Sequence, residues 1–140
     1  MTRPLPPAEW APHKAVWIGF PSHPELWEAD LEPAQEEVAA FARAVHAGGR
    51  GERVLLVAAN DAAAAAAERL AGDVASVVVE PFGDIWLRDT GPIVLSDGSA
   101  RDFGFNGWGG KYDLPGDDDI GRRLAARKKL PVESCDWVLE

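Results

Sequence analysis

Apolar residues fall into short unbroken runs, separated by segments with a helical period. Residues 15–20, 53–58 and 75–79 are mostly apolar over strand length and lack the one-in-two alternation of a half-exposed strand. They predict strands covered on both faces. Pro21-Ser22-His23-Pro24 stops the first, and a loop with Trp27 leads to a helix over about 31–47. Asp30 is placed to cap this helix, and Pro33 is tolerated in its first turn. Val38, Phe41, Ala42 and Val45 recur at i, i+3, i+4 and i+7 as its predicted buried stripe, and Gly48-Gly49 ends it. Asn60 or Asp61 caps a second helix, which runs through six consecutive alanines to a stop at Gly72. Alanine is the strongest helix former, and its small side chain lets a helix lie close to a sheet.

Beyond residue 92 the pattern predicts a hairpin, 93–95 and 100–105 around an Asp97-Gly98 turn. The segment F-N-G-W-G-G-K-Y follows at 105–112, and three glycines around Trp108 predict a backbone that approaches something closely. It lacks the spacing of a phosphate loop. Asp117 to Asp119 and Arg127 to Lys129 read as the two ends of one helix, matching the macrodipole, in preference to a metal site. Pro131 opens a last strand with Cys135 at its middle, expected as a small buried hydrophobe. Four prolines in residues 1–14 exclude regular structure there; Trp10 is expected to plug a groove as part of an arm, and His13 to lie at the surface. His46 stands near a helix C-terminus, where a cation is mildly favourable. Strands alternating with helices give an α/β fold, with residues 1–140 as a single domain and no linker. The pattern stops inside an apolar strand at Val138-Leu139-Glu140, so more chain is expected to follow.

Composition narrows the partners. The net charge of -9 argues against nucleic acid and is compatible with a cationic ligand. A single cysteine allows no intrachain disulfide and fits a reducing compartment. With no apolar run of signal length and none near the roughly 18 residues of a membrane span, a cytoplasmic protein with no membrane partner is expected. Six tryptophans are many for 140 residues and are expected at a pocket or interface.

The stretch G-D-I-W-L-R-D-T-G-P at 83–92 concentrates the chemistry. It gathers Asp84, Trp86, Arg88 and Asp89 between two strand candidates. Two carboxylates and an indole suit a planar cation, because a carboxylate accepts two parallel N–H bonds from a guanidinium. The structural alternative is an internal Arg88–Asp pair holding a turn, with Trp86 in the core.

Several of these residues together resemble one family. Pro7-Ala8-Glu9-Trp10, Pro12-His13, Trp17 and Pro21 are similar to the opening of the agmatine deiminases and the bacterial-type peptidylarginine deiminases. Trp86-x-Arg88-Asp89-x-Gly91-Pro92 resembles that family's most specific early motif. Phe105-Asn106-x-Trp108-Gly109-Gly110-Lys111-Tyr112 resembles the next, and Leu139-Glu140 the start of an L-E-G-G segment. The resemblance implies a partial pentein (α/β propeller) fold, about two of its five ββαβ units. It implies hydrolysis of a guanidine to a ureido group and ammonia through a covalent cysteine intermediate, with no metal or organic cofactor. Agmatine is the preferred substrate, giving N-carbamoylputrescine for putrescine synthesis. It also implies that Asp89 binds the guanidinium beside Trp86, and that Glu140 orients the catalytic histidine. Asp84, Arg88, Trp108 and Lys111 would support the pocket or its loops. The family's nucleophilic cysteine, catalytic histidine and second guanidinium-binding aspartate come later in the chain. Cys135, His13, His23 and His46 do not match them, so the 140 residues alone are expected to be inactive. A fragment cut from a closed propeller is expected to self-associate, or to belong to a homo-oligomer. The other readings are a peptidylarginine or arginine deiminase fragment, a non-catalytic guanidinium-binding module, and a structural domain with an acidic loop.

Overall fold

Three of the apolar runs become β1 (Val16–Phe20), β2 (Val54–Ala58) and β3 (Ala75–Val79) in the computed structural model, which describes residues 3–139. They lie side by side in chain order, all parallel, with Val16, Val54 and Ala75 in register. β2 is central, and all five of its residues are buried. Double-sided cover therefore holds for β2, whereas the outer strands β1 and β3 are only partly buried. Parallel neighbours need crossovers. The chain supplies them with α1 (Pro24–Trp27) followed by α2 (Leu31–His46), and then α3 (Asp61–Ala71). Phe20, Val54, Leu56 and Ala58 pack with Ala39 and Ala42 of α2 and Ala63, Ala67 and Ala71 of α3 as the core of the His13–Ile85 unit.

Two details of α2 depart from expectation. Of its predicted stripe Ala42 is buried and Val38 and Val45 pack against the core, but Gln35 and Ala39 join that face and Phe41 is 57% exposed. At 100° per residue Phe41 stands about 120° from the centre of buried Gln35, Ala39 and Ala42. Gln35 hides the true stripe from a hydrophobic count; it is buried because its amide donates to the Pro21 carbonyl at 2.9 Å. Asp30 occupies the cap position without a side-chain cap bond, since a 3-10 turn over Glu28–Asp30 leads directly into the helix. Asn60, by contrast, caps α3 as expected, accepting from the Ala63 N–H at 2.9 Å. It also donates to the Ser22 carbonyl at 2.9 Å. Buried Ser22 donates to the Phe20 carbonyl at 2.6 Å and accepts from the Ala59 N–H at 2.9 Å, which ties the ends of β1 and β2.

The second unit comprises residues 3–12 and 86–139 of the described chain. It begins with α4 (Leu87–Thr90) and the hairpin β4 (Ile93–Val94) and β5 (Ala100–Gly104), which are antiparallel. Asp97 closes the hairpin turn by accepting from the Ser99 N–H at 2.9 Å and hydroxyl at 2.6 Å, and Gly98 supplies a φ of 81°. A turn, α5 (Gly107–Gly110), and the helix α6 (Ile120–Arg127) then return the chain to β6 (Val132–Val138), parallel to β5. The core order of this unit is thus ββαβ, whereas the first unit runs βαβαβ.

α6 is closed at its start differently from the sequence pattern. Asp119 stands at the cap position without capping the backbone; it accepts instead from Arg123, Nη2 to Oδ1 at 2.8 Å. That bond holds the Asp119 carboxyl below its ordinary value. Buried Asp102, on β5, lies against the first turn of α6, with Arg122 Nη1 at 3.9 Å. Burial pushes its carboxyl up, against the opposing pull of the Arg122 charge and backbone. Gly121 permits this approach, because a Cβ there would sit 2.6 Å from Asp102 Oδ1 and 2.8 Å from the Thr90 carbonyl oxygen. β6 is the outer strand of its sheet among the described residues, and most of it is exposed. Cys135 is therefore half-buried, not the core hydrophobe expected of it.

Candidate functional site

The 83–92 stretch divides between the two units. Asp84 lies in the first, where its carboxylate accepts from the Ile85 N–H at 2.7 Å. The residues from Trp86 onward belong to the second, where Leu87–Thr90 form one helical turn. The Trp86 carbonyl accepts from the N–H groups of Asp89 at 3.0 Å and Thr90 at 3.1 Å, and from the Thr90 hydroxyl at 3.2 Å. Gly91 closes the turn on the Leu87 carbonyl at 2.8 Å, where an added Cβ would collide. Trp86 is 52% exposed, so it is not the core residue of the structural alternative.

Arg88 reaches away from the core of its unit. Its Nη1 pairs with Glu9 Oε1 at 2.7 Å, and both side chains are largely exposed. The proline-rich arm is thereby tied to α4, and Leu5 and Ser96 bond backbone to backbone at 2.9 Å. Trp10 plugs no groove: it is 89% exposed, because the arm is held by Glu9 and Leu5. Nothing in the sequence distinguished Glu9 as the partner of Arg88, since the two are 79 positions apart.

Asp89 is half-buried, and Trp108 meets it. The indole Nε1–H donates to Asp89 Oδ2 at 3.1 Å. The other carboxylate oxygen has no partner among the described residues. Trp108 is held in a left-handed backbone conformation, φ 56° and ψ 56°, which costs an L-residue about 1–2 kcal/mol. Glycines on either side share positive φ: Gly107, Gly109 and Gly110 at 68°, 77° and 81°. What this backbone approaches is itself, for a Cβ on Gly107 would collide with the Tyr112 carbonyl. Asn106 pins the turn by accepting from the Gly109 N–H at 2.8 Å. Phe105 and Tyr112 pack edge-on against the indole, with centroids 4.9 Å and 5.9 Å away. Lys111 lies over the Tyr112 ring at 5.3 Å. A surface cleft lined by Phe105, Tyr112, Leu114 and buried Asp117 opens beside this loop and does not include Asp89.

The remaining candidates lie elsewhere. Glu140 is outside the described residues. The three histidines all belong to the His13–Ile85 unit. His13 Nδ1 bonds Glu52 at 2.9 Å at the surface, as expected of it. His23 Nε2 bonds the Phe82 carbonyl at 2.6 Å. His46 Nδ1 is buried with no hydrogen-bond partner among the described residues. Among the described residues, no three His, Cys, Asp or Glu side chains gather where they could hold a metal ion, and no helix is long and apolar enough to cross a membrane.

With this geometry in place, comparison identifies the class and then the family. The architecture superposes on the agmatine deiminase of Enterococcus faecalis with a TM-score of 0.82 at 22% identity, over 95% of this chain and 38% of that one. The agmatine deiminase of C. jejuni gives a TM-score of 0.76 at 26% identity, over 94% and 40%. The fold is α/β, of the pentein type shared by these enzymes. The covered share is the proportion that about two of five repeats would occupy. Residues 5–140 match the Porphyromonas-type peptidyl-arginine deiminase family, and the chain belongs to it. Among curated relatives, the agmatine deiminase of Stutzerimonas stutzeri is 39% identical over 93% of this chain and 36% of its own length. That of Pseudomonas aeruginosa is 35% identical over 96% and 38%. The chain thus spans less than two fifths of the length of these relatives.

Proposed function

We propose that this chain is part of a guanidine deiminase that hydrolyses agmatine to N-carbamoylputrescine and ammonia, and that it supplies one carboxylate wall of the guanidinium site. The observation that carries the reading is the half-buried Asp89 carboxylate on α4, with one oxygen bonded to Trp108 and the other without a partner among the described residues. The names of the relatives favour agmatine over arginine or peptidyl-arginine.

The chemistry assigns these residues to binding. A delocalised guanidinium carbon is a poor electrophile, so it must be held flat while a thiolate attacks. The C–S bond forms, and a histidine protonates the departing nitrogen as the C–N bond breaks and ammonia leaves. Water then adds to the thiouronium carbon, gives a proton to the histidine and displaces the thiolate, leaving the ureido product. Asp89 would hold the cation through charge-assisted N–H bonds, and Trp86 would cover one side of it. Glu140 would orient the histidine. Cys135, half-buried on β6, and the three histidines of the other unit take no part. The test is ammonia release from agmatine: the complete gene product forms ammonia and N-carbamoylputrescine in equal amounts, and purified 1–140 forms none above a protein-free control. Release by 1–140 would place the nucleophile within it and overturn this assignment.

A further inference from the structure

The geometry points to Trp108 as the positioning residue of Asp89, setting the angle at which its carboxylate meets a guanidinium. The inference rests on the reading of Asp89 as the guanidinium-binding group and adds a residue that acts through it. The Trp108 Nε1–H occupies Asp89 Oδ2 at 3.1 Å, and no other group among the described residues bonds that carboxylate. A carboxylate at the end of a short side chain turns about its last bond, and one hydrogen bond to one oxygen stops the turn. The opposite edge then faces one direction, as recognition of a planar cation requires.

The loop is built around this contact. Trp108 takes a left-handed conformation that a large aromatic residue rarely adopts, and Gly107, Gly109 and Gly110 take the same sign of φ around it. Asn106 locks the turn through the Gly109 N–H. Phe105 and Tyr112 pack edge-on against the indole at 4.9 Å and 5.9 Å, with ring planes at 90° and 88°. A ring needed only for packing would fill this space as phenylalanine. The indole differs by its N–H, and that N–H is spent on Asp89. In this loop strain, glycines and two ring contacts all serve to fix the direction of one donor.

The experiment uses the complete gene product and replaces Trp108 by phenylalanine, which keeps both ring contacts and removes the donor. KM for agmatine is expected to rise about tenfold, with kcat changed less and the melting temperature unaltered, as for loss of one charge-assisted bond used in binding. Trp108→Gln, which regains an N–H donor without the rings, is expected to lower the melting temperature. If KM tracks that loss instead of the loss of the donor, Trp108 is a packing residue only. A spectroscopic readout is independent of turnover: the indole N–H resonance of Trp108 should shift in Asp89→Asn. Wild-type turnover with unchanged KM in Trp108→Phe, or an indole resonance unmoved by Asp89→Asn, overturns the positioning role alone. Failure of the wild type to process any guanidine overturns the functional reading beneath it as well.

Discussion

Asp102 is the residue whose sequence neighbourhood says least about its role. It reads as a polar position in a hairpin strand, yet it is buried against the first turn of α6. Burial raises its carboxyl above the ordinary value of 3.8. A carboxylate raised on folding contributes stability below its unfolded pKa and loses it as pH rises through the folded one. At neutral pH burial therefore penalises the ionised side chain in the folded protein relative to the unfolded chain. Asp102→Asn, which can still accept from the backbone of α6, should raise the melting temperature at neutral pH. The gain should shrink on acidification and vanish below 3.8, where both states are protonated. Thermal melts at the two ends of that range check this, and a lower melting temperature at neutral pH would contradict it. Spacing and residue type gather Asp84, Trp86, Arg88 and Asp89 as candidates, and the family resemblance alone singles out Asp89 and Trp86 among them. The Trp108–Asp89 bond was not readable, because the two residues are 19 positions apart and a glycine-flanked tryptophan signals only an unusual backbone.

At the scale of elements the sequence located nearly everything and misjudged exposure. β3 matches its predicted run, β1 and β2 lose a single residue at their starts, and Asn60 and Gly72 bound α3. Periodicity reports which residues are apolar, not what lies opposite them, so Phe41 was assigned to a face that Gln35 in fact occupies. The 87–90 turn was missed because one helical turn is too short to leave a period. β6 teaches the same lesson. Its apolar residues and central Cys135 read as a buried strand, but Glu133, Ser134 and Asp136 lie among them, and β6 is the outer strand of its sheet among the described residues, with Trp137 63% exposed and Val132 and Val138 also open. An exposed edge of this length with apolar side chains is a template for pairing. The purified 140-residue chain should accordingly self-associate, with apparent mass rising with concentration in sedimentation. A monodisperse monomer at high concentration would contradict this.

The whole molecule joins two three-stranded α/β units in one chain, and the guanidinium-binding candidates of the second are held by three short devices: the α4 turn, the Trp108 loop and the Glu9–Arg88 tie. Its net charge of -9 suits the approach of a cation such as agmatine and adds steering, not specificity. In the proposed function, specificity for a flat cation would fall to oriented carboxylates, of which Asp89 would be one. The most direct measurement is turnover of agmatine by the complete gene product carrying Asp89→Asn. That change keeps the side chain's size and its acceptor for Trp108 while removing the charge. The account predicts that kcat/KM falls by about a hundredfold or more, with the fold intact. Near-normal turnover would remove Asp89 from the site and contradict the account at its centre.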